Sequence, residues 1–330
     1  MERQEVVVVF GATGAQGKGV VAGLLLGNKK WLIRAVTRDP ASEKAQALSQ
    51  LAKIRSRGHP DTTLELVKAE FGDEETLRTV LKGADGVFLN MDFWTLGREK
   101  EVQYGKQVAD LISSTSATAH VVYSGLEHVS KLTEGKLECS FYDSKGEVTD
   151  YLRDKLSSVT VVKYSTYMEN FLGGHTALTK EKWDDEGGEC VVFAFPIPED
   201  VGVTLVPVHD VGRVIASIFE DMEKKWVGRH AEVGLAGDHL TGKQMADIFE
   251  KVYGGGEGAD GEGKKLHAKA RMTSLEAVKA RNLQGGNMWE FKIGHEQLFA
   301  VYVGQSRAIV PDLQSFEEWL RQHKHTLLSL

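Results

Sequence analysis

The chain has 330 residues, 42% of them hydrophobic and 26% charged, enough apolar side chain for a real core and nothing of the bias of disordered or fibrous chains. Forty Lys and Arg against 47 Asp and Glu leave a formal charge of -7, which excludes a protein-wide cationic field for gripping nucleic acid. No run approaches the ~18 apolar residues of a membrane span, Cys139 and Cys190 cannot build a disulfide framework, and the histidines do not pair at zinc spacing, so a cytoplasmic chain without membrane or metal is expected.

Residues 5–10 (EVVVVF) form a short, β-branched apolar run ending in glycine, as a strand buried on both faces would. A helix follows over 17–27 and a second strand over 31–37, closed by Arg38-Asp39-Pro40. The alternation continues with helix 41–52, strand 63–68, helix 73–82, strand 86–91, helix 98–114, strand 119–124, helix 140–155 and strand 159–164. Strands joined by helices need crossovers, which makes the fold class α/β with a doubly wound parallel sheet. Ligands on such sheets sit beyond the C-terminal strand ends, so the segments after 10, 37, 68, 91, 124 and 164 should line the site.

After residue 164 the rhythm loosens: Tyr167 to Leu172 has a helical pattern, an acidic loop follows at 184–189, and 203–208 and 209–222 return to strand then helix. The expected division is a nucleotide-binding domain over 1–164, with 203–222 returning to it, and a smaller α+β lobe over 165–330. Six glycines in the ten positions 254–263 mark a loop that cannot anchor in a core. Leu313, Phe316, Leu320 and Leu327 recur at roughly helical spacing, the pattern of a terminal helix packed on the smaller lobe.

Directly after the first strand, Gly11-Ala-Thr-Gly14-Ala-Gln-Gly17 forms a GxxGxxG turn leading into a helix. Glycine allows a tight turn and close backbone approach, and the helix start offers unpaired N–H groups to a pyrophosphate. A nucleoside-triphosphate loop needs glycine five positions before Gly17 and a hydroxyl after Lys18, whereas Ala12 and Gly19 stand there. At the end of the second strand, Arg38 can clasp an adenosine 2'-phosphate with Ser42 or Lys44 helping, which points to NADP(H); a shift of one residue would instead bring Asp39 to a free ribose hydroxyl and favour NAD.

With these residues the chain resembles the NmrA-like family of atypical short-chain dehydrogenases, and within it the redox-sensor branch. The likeness is carried by VVVFGATGAQG, VTRDP, Phe93-Trp94, VVYSGLE (121–127), KGEV (145–148), YMENFL (167–172) and SFEEWLRQHK (315–324). It implies an extended Rossmann lobe holding NADP(H), a smaller second lobe and, for the sensor branch, cofactor-dependent assembly and protein partners, with a homodimer among the open assemblies. By the same resemblance Gly11, Thr13, Gly14, Gln16 and Gly17 face the pyrophosphate and Arg38 the 2'-phosphate. Asn90, Ser124 and Lys145 then lie along the ribose and nicotinamide, with Tyr167 and Asn170 beyond. Glu70 stands where relatives carry an aspartate near the adenine, which puts that contact in doubt, and the glycine-rich 254–263 is a second departure.

Active short-chain dehydrogenases place a tyrosine four residues before a lysine, and here that position is Phe141, which cannot exchange a proton. Tyr142, three residues before Lys145, could share its helix face as a displaced dyad, and Lys145 alone could bind the ribose. Ser124 occupies the usual place of the catalytic serine, or simply makes a turn. Phe93-Trp94 and Trp289 are expected to pack between lobes rather than wall a substrate pocket. The first functional expectation is an NADP(H)-binding regulator or redox sensor acting through conformation and protein partners. The alternative is an NADPH-dependent oxidoreductase reducing a hydrophobic carbonyl or conjugated alkene, with Lys145 or a water replacing the missing acid.

Overall fold

The computed structural model describes residues 4–55, 62–173, 178–182, 189–253 and 267–324. The glycine-rich stretch 254–263, Leu327 and the acidic loop up to residue 188 lie outside the described residues. The chain forms two compact units, one of Met1–Lys136, Ser140–Lys163 and Val208–Val233, the other of Leu137–Cys139, Tyr164–Pro207 and Gly234–Leu330.

The strands are, in order, β1 (Glu5–Val9), β2 (Trp31–Thr37), β3 (Thr63–Lys68), β4 (Gly86–Leu89), β5 (His120–Gly125), β6 (Val159–Tyr164) and β7 (Thr166–Tyr167). They continue with β8 (Leu178–Lys182), β9 (Glu189–Phe195), β10 (Val203–Val206), β11 (His230–Leu235), β12 (Asp238–Leu240) and β13 (His267–Met272). The helices that matter for the site are α1 (Ala15–Leu26), α2 (Glu43–Arg55), α3 (Glu74–Leu81), α4 (Phe93–Thr115), α5 (Val129–Leu132), α6 (Ser140–Lys155) and α7 (Val208–Glu220).

A seven-stranded sheet runs β11-β6-β5-β4-β1-β2-β3, and its six N-terminal strands pair in parallel. The chain leaves β1 toward β2 on one side and returns on the other side through β4, so the order reverses between β1 and β4. A crevice opens at such a switch point, beyond the C-terminal strand ends. The strands here are uninterrupted apolar runs because both faces are covered: Val6 to Val9 are all buried. One face packs Val8, Val87, Leu89, Val121 and Tyr123 against Leu77 and Val80 of α3, Val108 and Ile112 of α4 and Val148 and Leu152 of α6. On the other face α1 meets α7 so closely that a Cβ at Gly23 would lie 2.6 Å from the Gly212 carbonyl oxygen.

Several boundaries differ from the sequence reading. The segment 203–222 is split: β10 pairs with β7 and β12 in the second unit, and only α7 belongs to the first. A four-residue apolar strand looks the same whichever sheet it joins, because its partners lie far away in sequence. The fourth helix begins at Phe93 because Asp92 caps it, accepting from Trp94 N at 3.1 Å, and it is then kinked at Gly97 (φ 72°, ψ 170°). Tyr167 is a strand residue, and the expected helix is a short 3-10 turn over Met168–Leu172.

The second unit holds the small sheets β12-β10-β7 and β13-β9-β8. Its core is aromatic: Phe171, Phe193, Phe249, Phe316 and Trp319 are buried together, with Leu320 alongside. The Tyr253 hydroxyl donates to the Leu320 carbonyl at 2.6 Å, and burial pushes its pKa upward. Trp289 packs edge-on to Phe195, with centroids 5.8 Å apart, under the Lys292 ammonium.

Candidate functional site

The turn after β1 is built for lack of side chains. Phe10 N donates to Phe88 O at 2.9 Å, carrying the β1–β4 pairing up to the turn. Gly11 then takes φ +65°, a left-handed conformation costly for other residues, and Gly14 N closes the turn onto Gly11 O at 2.9 Å. α1 starts immediately, with Lys18 N on Gly14 O at 2.9 Å. A Cβ at Gly17 would lie 2.2 Å from Gly11 O and 2.7 Å from the Ala12 Cα, both backbone atoms. Gly17 is therefore required by space, since the first turn of α1 lies directly on the backbone that precedes it. Thr13 and Gln16 are half-buried and Gly14 is exposed at the helix N-terminus.

Three contacts gather expected site residues around this turn. Asn90, just beyond β4, backs Gly11: its Nδ2 and O would each lie 3.5 Å from a Cβ there. Ser124, buried at the end of β5, donates to Gln16 Oε1 at 2.8 Å. Lys145 Nζ, from the second turn of α6, donates to Met91 O at 3.1 Å, next to Asn90.

Arg38, Lys44 and Glu70 are exposed, beyond β2 and β3. Ala69 N donates to Thr37 O at 3.2 Å, which holds the ends of these two strands together. The Asp39 carboxylate is turned into its own loop, accepting from Ala41 N at 2.9 Å. That local bond is the common fate of an aspartate two residues before a backbone N–H, and Arg38 beside it is exposed. Tyr167 and Asn170 belong to the second unit.

The dyad positions are filled by an aromatic cluster. Phe141 packs against Trp94 (5.4 Å between centroids), Phe93 (6.0 Å) and Tyr142 (5.3 Å). Tyr142 is only 3% exposed. Trp94 is 78% exposed, which corrects the expected packing role for that residue, while Phe93 is half-buried. The cap at Asp92 and the kink at Gly97 set these rings on a short turn of their own.

The NmrA-like family profile matches residues 3–257. The chain belongs to the NmrA-like family. It is 32% identical over 263 residues to the NmrA-like family domain-containing oxidoreductase malD of Malbranchea aurantiaca, covering 76% of this chain and 74% of that one. Among solved structures it is similar to NmrA, a negative transcriptional regulator, in complex with NADP: TM-score 0.69, 18% identity, 97% of this chain and 95% of that one. It is also similar to the NADPH-dependent quinone oxidoreductase QOR2 of Escherichia coli complexed with NADPH: TM-score 0.66, 20% identity, 98% and 100% covered. At these identities the two structural likenesses are likenesses of fold.

One residue of this NmrA-like site escaped the sequence reading. Glu101 of α4 has no exposed surface, and its Oε1 accepts from Lys145 Nζ at 2.8 Å while Oε2 accepts from Ser144 Oγ at 2.5 Å. The signal was a charged residue on the apolar stripe of a helix, in line with Gly105, Val108 and Ile112 at helical spacing.

Proposed function

We propose that this chain binds NADP(H) at the Gly11–Gly17 turn and works as an NADPH-dependent oxidoreductase on a hydrophobic carbonyl or conjugated alkene. The observation that carries the reading is the glycine turn itself, Gly11 at φ +65° with the first turn of α1 packed directly on it at Gly17, placed at the switch point of the sheet. Backbone N–H groups at the start of α1 would hold the pyrophosphate, with Gln16 tied to Ser124 beneath them. Arg38 would take the 2'-phosphate, Asp39 being engaged by its own turn. The relatives support the class: malD is named an oxidoreductase, and the NmrA and QOR2 structures are complexes with NADP and NADPH.

When bound, the nicotinamide supplies a hydride, and the substrate oxygen becomes electron-rich as it is reduced. Phe141 has no proton to give. Lys145 would supply its one remaining N–H to the ribose and its fixed positive charge to the neighbourhood of that oxygen, and solvent would supply the proton. A panel of carbonyls and enones assayed for NADPH oxidation tests this. Lys145→Ala should lower turnover by about a hundredfold or more while weakening NADPH only about tenfold. No turnover anywhere on the panel, with tight NADPH binding, would turn the case toward the second reading.

That second reading is a cofactor-responsive regulator of protein partners. Phe141 at the dyad position favours it, as does the exposed Trp94 beside it. It requires unequal NADPH affinity for two conformations. A proteolysis pattern that saturating NADPH leaves unchanged would remove it.

A further inference from the structure

Glu101 is a buried carboxylate on the apolar side of a helix, where a well-packed hydrophobic pair would often serve stability better. Both of its oxygens are engaged by α6, one by Lys145 and the other by Ser144. The Lys145 ammonium has three N–H donors, and two are taken, by Glu101 Oε1 at 2.8 Å and Met91 O at 3.1 Å. Its side chain keeps 12% of its surface exposed while Glu101 keeps none. The remaining N–H has no partner among the described residues, and of this ion pair only the Lys145 side chain keeps surface that a ligand can reach.

We propose that Glu101 is a positioning residue: it holds the Lys145 ammonium against the Met91 carbonyl, so that one N–H stays presented at the β4 end of the NADP(H) site. The inference rests on the reading of Lys145 as a donor in that site. A lysine stem has four flexible carbons and a strongly hydrated head, and without an anchor the head spends its time in water. The carboxylate supplies the anchor, and the Ser144 hydroxyl fixes the carboxylate. Glu101 has no exposed surface with which to touch a ligand, so its effect must pass through Lys145.

The test is a double-mutant cycle on full-length protein, read by calorimetric NADPH affinity, with thermal melts to confirm folding. Glu101→Gln keeps the shape and removes the charge, and it should weaken NADPH about tenfold; Lys145→Met should weaken it by at least as much. The double variant should bind no more weakly than Lys145→Met alone. Equal losses from Glu101→Gln in both backgrounds would mean that Glu101 merely packs α4 on α6, and would overturn the proposal. An unchanged affinity in Glu101→Gln, with Lys145→Met impaired, would overturn it too. If Lys145→Met binds like the wild type, the reading of Lys145 itself has failed, and the inference falls with it. Ser144→Ala is the milder probe should Glu101→Gln not fold: about a threefold loss, present only with Lys145 in place, supports the proposal, and a loss independent of Lys145 refutes it.

Discussion

The glycine turn makes a graded prediction in which stability and binding separate. Gly17→Ala places a methyl 2.2 Å from Gly11 O, 2.6 Å from Gly11 C and 2.7 Å from the Ala12 Cα. Carbon contacts relax near ~3.5 Å, so α1 and the turn must part by about 1 Å, and overpacking of this kind costs roughly 1–3 kcal/mol. Tm should fall by several degrees at about 2–4 °C per kcal/mol. The parted amides also lose one or two charge-assisted bonds, so NADPH affinity should drop by about ten- to a hundredfold or more. Gly14→Ala is the control. Its backbone (φ -82°, ψ 172°) suits any residue, and the new methyl would meet only Gly11 O, at 3.3 Å. Stability should stay within about 1 kcal/mol, so that any loss of affinity reports the approach of the pyrophosphate itself. Differential scanning fluorimetry with and without NADPH, plus calorimetric titration, reads both quantities. Gly17→Ala protein that melts and binds like the wild type would refute the reasoning.

Three further outcomes are expected. Arg38→Ala should cost NADPH about 1.5–3 kcal/mol, one to two decades, and leave NADH unchanged; equal losses for both would show that Arg38 does not read the 2'-phosphate. Gly212→Ala puts a methyl 1.9 Å from the Gly19 carbonyl atoms, so α1 and α7 must separate, and denaturant unfolding should show destabilisation of about 2 kcal/mol or more; a wild-type midpoint would contradict the close crossing. His120 is buried between Ser158 Oγ (2.7 Å) and Thr160 Oγ1 (3.0 Å), and burial lowers its pKa from 6.5 to about 4. The folded state thus resists protonation that the unfolded chain accepts. Its contribution is complete above pH 6.5 and declines as pH falls toward 4, by about 3 kcal/mol in all. Urea unfolding of His120→Asn at pH 7 and pH 4.5 should show a smaller decline than wild type, and parallel declines would count against the assignment.

The sheet was legible because strands buried on both faces are written as continuous apolar runs, and EVVVV after a polar start has no other reading at that length. The glycine turn was legible for a related reason: close backbone approach leaves only one residue type possible. What could not be read depended on partners distant in sequence. Nothing near Glu101 announces that Lys145, 44 residues on, is its counter-ion. Trp94 was misjudged because an aromatic pair suggests burial, whereas the cap at Asp92 and the kink at Gly97 leave Phe93 half-buried and Trp94 in solvent.

The return of α7 to the first unit has an evolutionary corollary. A gene fragment ending at residue 164 would lack the helix that fills the trench over Gly19 and Gly23, leaving a bare apolar flank on α1. The nucleotide-binding half is thus not a portable cassette, and recombination that swaps the downstream half must keep the intervening helix or forfeit the upstream one.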